Sequence, residues 1–195
     1  MANTNTAGFG LIPAGTLGST PSTQGQGKYF IEAAYNADLF QGSSVRIVGG
    51  YVTTAQAGIT KSTVGVLNGI FYNAATTKKP TFANFYNQPI TPADSEDITA
   101  FVIDNPNQLF VGAIDAAAAQ AEYGKTYGLT VTAAGSDTSG QSSSTLTYAT
   151  RHATNNQWRL VRSAEDPEND ENAANRSVVV AHNLNQYFTG AVTWQ

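Results

Sequence analysis

Three stretches of the chain hold residue types that can do chemistry, and each departs from its pattern at a position the chemistry needs. Gly124-Lys125-Thr126 ends like a phosphate-binding loop. Such a loop wraps a phosphate in backbone N–H groups and requires a Gly five residues before its second Gly, where this chain has Ala119. A glycine just past a helix end is the stronger reading of Gly124. Gly8-Phe9-Gly10 opens a dinucleotide-binding pattern, but Pro13 stands at the third glycine and no strand signal precedes it. From Asp166 to Glu171, carboxylates alternate as in a calcium loop. The sixth position is Glu171 instead of Gly, and the twelfth is Ser177 instead of Glu. The stretch therefore reads first as a solvated acidic loop, with a weak surface Ca²⁺ or Mg²⁺ site as the alternative.

The remaining chemistry-bearing residues are few. The two histidines, His152 and His182, have no metal-ligand spacing, and no serine lies in Gly-x-Ser-x-Gly. Polar groups satisfied on strands are the stronger reading of both histidines, and a general base is the weaker one. Asn175-Arg176-Ser177 matches a glycosylation sequon, which matters only in an exported chain. Trp158 lies on an alternating stretch and reads as core ahead of a sugar-stacking or interface residue. Trp194 is a candidate intersubunit contact, since a terminal Trp is either tied down or exposed. No catalytic residue, cofactor site or metal site emerges from the pattern.

The elements that must position these residues are mostly strands. The folded pattern begins at Lys28-Tyr29-Phe30-Ile31. Val45–Val48 and Tyr51–Thr54 are short β-branched runs around Gly49-Gly50. Within Thr63–Tyr72, Asn68-Gly69 marks either a two-residue hairpin or a bulge in one continuous strand. Residues 73–97 read as a loop broken by Pro80, Pro89 and Pro92. Thr99–Ile103 and Leu109–Ile114 read as strands around an Asn105-Pro106-Asn107 turn. Asp115 before an alanine run predicts one short helix ended by Gly124. Leu129–Thr132 is another strand, and residues 134–145 form a Ser/Gly-rich loop. Gln157–Arg162 alternates, and Ser177–Ala181 is apolar enough for a central strand. Short strands at this spacing predict a mainly β fold: a compact barrel- or sandwich-like domain of antiparallel strands.

Composition excludes several function classes. With no cysteine, disulfides and thiol chemistry are ruled out. Charged residues are 12% of the chain, about half the usual share, and the net charge is −4. A nucleic-acid partner would call for a basic stripe, so none is expected. No apolar run is long enough to span a bilayer, so no membrane partner is expected. No basic stretch precedes the first apolar residues, so export by a signal peptide is not expected either.

Residues 1–27 are read as an extended arm and linker ahead of a β domain at 28–195. An apolar knot (Phe9, Leu11, Ile12, Pro13, Leu17) is followed by a stretch of Gly, Ser, Thr, Pro and Gln. Such a knot carries area that a neighbour's sheet edge can bury. The expectation is that removing residues 2–17 leaves the domain folded.

Four segments together resemble the small capsid cement (decoration) proteins of tailed bacteriophages. They are Gly8-Phe9 with Pro13, Gly65 to Tyr72, Asp104 to Phe110, and Arg159 to Gln186. The resemblance implies a structural, non-enzymatic protein that sits on the outer capsid surface and bridges major capsid protein subunits, often as a trimer. It also implies a location in the virion, after assembly in the host cytoplasm. The five apolar arm residues become the expected capsid contacts. Another virion part, such as a tail or fibre protein, and a carbohydrate-binding β module are the alternatives.

Overall fold

The computed structural model describes residues 7–18, 25–56, 61–130, 135–170 and 172–188. These residues form two β-sheets of six strands each. One sheet is built from residues 27–103: β2 (Gly27–Ile31), β3 (Ser44–Val48), β4 (Tyr51–Thr54), β5 (Gly65–Asn73), β6 (Pro80–Ala83) and β7 (Ile98–Ile103). Its order is β2-β7-β5-β3-β4, with β6 on the far end of β5. The other uses β1 (Ile12–Thr16), β8 (Gln108–Ile114), β9 (Thr126–Leu129), β10 (Leu146–His152), β11 (Trp158–Ser163) and β12 (Arg176–His182). In this second sheet β12 pairs with both β11 and β8, and β8 also meets β10, so five strands close into a barrel.

Most of the expected strands form, and the protein is mainly β. Gly49 and Gly50, with φ of 59° and 90°, supply the left-handed turn that a tight β3–β4 hairpin needs. Asn68-Gly69 resolves as a bulge: β5 runs on as one strand, with its register against β7 shifting between Leu67 and Gly69. Pro80 does not break the chain but starts edge strand β6, where no ladder donor is needed. The strand at 126–129 lies slightly earlier than expected, and residues 131–134 fall outside the described part.

The expected helix after Asp115 is a correction. Only a 3-10 turn forms, at Gln120–Glu122. Tertiary contacts override alanine's propensity. Asp115 is committed to β10, with its Oδ1 accepting the Tyr148 N–H at 2.7 Å. Ala118 is fully buried in the barrel core, and its carbonyl accepts a hydrogen bond from the Arg176 guanidinium. Arg176 also donates to the Tyr123 hydroxyl at 3.1 Å. A helix would pull these groups apart.

Each sheet has its own core. The barrel closes around Phe110, Ile114, Tyr127, Leu146, Trp158, Leu160, Val178 and Val180. The first sheet packs Ile31, Leu39, Val45, Val52, Leu67, Ile70, Tyr86, Ile98 and Val102. Strand β12 is buried along nearly all its length, which accounts for its apolar sequence.

Candidate functional site

The N-terminal apolar segment enters the barrel instead of standing free. Strand β1 (Ile12–Thr16) pairs antiparallel with β8, setting Ile12 against Val111 and Thr16 against Gln108. Gly10, at φ 73°, turns the chain in, and its N–H donates to Ser144 O at 3.1 Å. Leu11 N donates to Gly42 O at 2.9 Å, and Leu17 N to Asn107 O at 2.8 Å. The Gln108 amide adds a bond to Gly15 O at 2.7 Å.

This docking corrects the expected set of arm anchors. Leu11 is 1% exposed and packs with Val66, Ile103 and Phe110 in the barrel core. Gly112 makes its seat, since a Cβ there would lie 3.0 Å from a Leu11 methyl. Burying a leucine side chain this way is worth about 1.5–3 kcal/mol. Leu11 is therefore the root of the segment in its own chain, and the boundary expected at residue 27 does not separate β1 from the domain. Ile12 and Leu17 stay open, at 45% and 40% exposure, and Pro13 is exposed while Phe9 is half-buried. Ile12 shares the outer face of the barrel with Val111 and Val179, next to a small cluster containing Leu109 and Ala181. A groove of about 200 Å³ runs beside the segment, lined by Phe9, Leu11, Pro13, Val66, Asn68 and Gln141 among others.

A second apolar surface was not visible in the sequence. On the first sheet the pairings run Phe30–Thr99–Phe71–Phe82 across four strands, in the order β2, β7, β5, β6. The neighbouring row runs Lys28–Phe101–Gly69. The alternate positions Ile31, Ile70, Ala100 and Val102 fill the core, so both rows face outward. Phe82 is 73% exposed and Phe30 48%. The Phe71 and Phe82 rings lie 4.7 Å apart, and Phe82 and Phe101 are stacked at 6.5 Å and 17°. The signal for this face lay in outward-facing aromatics, but only the register shows that they align, and Phe82 sat in a segment read as loop.

The sequence-level candidates for chemistry take structural places. Gly124 follows the 3-10 turn, and its N–H donates to Leu160 O at 2.8 Å. Lys125 donates to Glu122 at 3.1 Å. Glu122, 8% exposed, also accepts from Tyr127 at 2.8 Å and Arg151 at 3.0 Å. Burial works to raise its pKa, and the bonds from Tyr127 and Lys125 with the Arg151 charge outweigh it and hold it below the usual range. In the acidic stretch, Asp166 and Asp170 accept backbone N–H bonds from Glu168 and Asn172 at 3.0 and 2.9 Å. Glu171 lies outside the described residues. Among the described residues, no three His, Asp or Glu side chains come together as a metal site would need. No match emerges among protein-family models, curated proteins or solved structures.

Trp158 is fully buried, as a core tryptophan would be. It stacks on His182 at 4.4 Å and 5°, and meets Phe110 edge-on at 5.3 Å. His152 Nδ1 accepts from the N–H groups of Thr154 and Asn155 at 3.2 and 3.3 Å. Trp194 lies outside the described residues.

Proposed function

We propose that this chain is a structural virion protein that binds the outer surface of an icosahedral phage capsid and stabilises it by bridging major capsid protein subunits. The phenylalanine face of the first sheet carries this reading. A soluble chain rarely leaves a contiguous aromatic surface in water unless a partner covers it. The exposed flank of β1, with Ile12, Pro13 and Leu17, supplies a second foothold rooted by Leu11. Two footholds on one chain bind far more tightly than either alone. A protein that binds assembled shell but not free subunits stabilises the shell by mass action. The low charge and amide-rich surface suit wet, extended contacts. In this reading the protein acts as a homotrimer, with Trp194 a proposed intersubunit contact, and needs no cofactor.

The test is co-sedimentation with assembled capsids. Phe82→Ser and the pair Ile12→Ser/Leu17→Ser should each fold and each lose most of their shell binding. Undiminished binding by both would remove the reading. One observation favours a second reading: the near-parallel Phe82 and Phe101 rings make a platform on which a sugar ring could stack. Glycan binding by the wild-type protein that Phe82→Ser abolishes, with no shell binding, would select it.

A further inference from the structure

At one corner the two sheets are clasped together by a short turn after β12. The Thr63 N–H donates to Leu184 O at 3.0 Å, and the Gln186 N–H returns to Thr63 O at 2.9 Å. The Gln186 side chain holds both backbone groups of Ile47: Oε1 accepts from its N–H at 2.7 Å, and Nε2 donates to its carbonyl at 3.0 Å. On the barrel side, Asn183 N donates to Gln157 O at 2.8 Å, and the Arg159 guanidinium donates to the Asn183 side-chain Oδ1 at 2.6 Å.

His182 stands at the centre of this clasp. One face of its ring lies flat on Trp158. The bonds around it fix its protonation. Asn185 Oδ1 accepts the Tyr187 N–H at 2.8 Å, so the Asn185 Nδ2 group is the end that meets His182 Nδ1, at 3.2 Å. Nδ1 must then accept, and the ring proton sits on Nε2, which donates to Thr63 Oγ1 at 2.5 Å. The neutral ring thus joins the barrel to the first sheet. A second proton, on Nδ1, would face the Asn185 N–H group donor to donor.

We propose that His182 is an acid-sensitive latch: protonation of its imidazole releases the 183–188 turn from Thr63 and Ile47 and frees the first sheet from the barrel at this corner.

Among the described residues, the ring's partners supply no charge to offset the new one. Trp158, Thr63 and Asn185, which contact the ring, are uncharged. The charged groups nearest in the chain are engaged or exposed. Arg159, beside Trp158, is held by Asn183 and Gly124. Lys61, two residues before Thr63, is exposed, and Arg46, beside Ile47, donates to Thr54 O at 3.3 Å. Packing of the ring pushes its pKa down to about 3 from the ordinary value near 6.5. Once released into water the ring regains the ordinary value, so proton uptake favours the open form. Between pH 7 and about pH 4.5 the opening equilibrium rises roughly 70-fold by this linkage.

Amide hydrogen exchange on the full chain tests the latch, with rates corrected for intrinsic pH dependence. Protection at Ile47, Thr63 and Gln186 should fall roughly 70-fold between pH 7 and about pH 4.5. Protection in the β8–β12 ladder should persist. In His182→Gln the change at the clasp should disappear, because carboxylates titrate there but position 182 does not. The proposal fails if the clasp amides keep their protection in acid, or lose it only together with the ladder. It fails equally if His182→Gln keeps the wild-type pH dependence. Should that variant not fold, the wild-type comparison of clasp and ladder decides alone.

Discussion

Replacing Leu11 by alanine separates a tethered arm from a rooted strand. Leu11 is 1% exposed, under Gly112 and against Val66, Ile103 and Phe110. Buried leucine-to-alanine changes cost about 2–5 kcal/mol, the spread reflecting how far the site collapses. Here the void would open into the existing groove of about 200 Å³, where water can enter. That places the cost near the lower end, about 2–3 kcal/mol. For a domain of this size the melting temperature should fall by roughly 4–12 °C. Ile12→Ala and Leu17→Ala, at exposed positions, should stay within about 0.5 kcal/mol of wild type. Urea unfolding followed by Trp158 fluorescence measures all three, in a Trp194→Phe background that removes the second tryptophan. Removal of residues 2–17 should destabilise the domain at least as much as Leu11→Ala. If Leu11→Ala and that deletion both leave the unfolding midpoint unchanged, the strand contributes nothing in its own chain and the rooting argument fails.

Three further outcomes follow from the packing. Gly112→Ala puts a methyl 3.0 Å from Leu11 and should loosen β1, costing about 1–3 kcal/mol and raising exchange at the Leu17 amide first. Glu122→Gln should cost about 1–3 kcal/mol at neutral pH, because Lys125 and Arg151 are partly exposed and soften the loss. The folded pKa of Glu122 is depressed, so its contribution is present above the ordinary glutamate value and fades as pH falls through the folded one; wild type and Glu122→Gln should therefore converge in acid. Phe82→Ser should leave the melting temperature within about 2 °C of wild type, since the ring is 73% exposed.

The strands were legible wherever β-branched alternation met a turn signal, as at Val45–Thr54 and Thr99–Ile114. Position 68 was legible as a choice, and β7 settled it by pairing on both sides of the bulge. What could not be read was whatever depended on a distant partner. The alanine run after Asp115 has helical propensity, and distant partners, Tyr148 for Asp115 and Arg176 for Ala118, explain why it stays irregular. Strand β10 went unrecognised because its residues are half polar, its face being set by the barrel. Leu11 and Ile12 are adjacent apolar residues with opposite fates, and nothing local says which one meets Gly112. The phenylalanine face needed the register of four strands. The two histidines carried no distinguishing signal, yet one lies beside Trp158 because β11 and β12 pair there.

The central claim is attachment to a capsid, and stoichiometry tests it most directly. Quantitative mass spectrometry of purified particles gives copies of this chain per copy of the main shell protein. A shell-covering protein that bridges capsid subunits predicts a ratio near one. A ratio of a few per cent or less, or absence from the particles, would contradict the account.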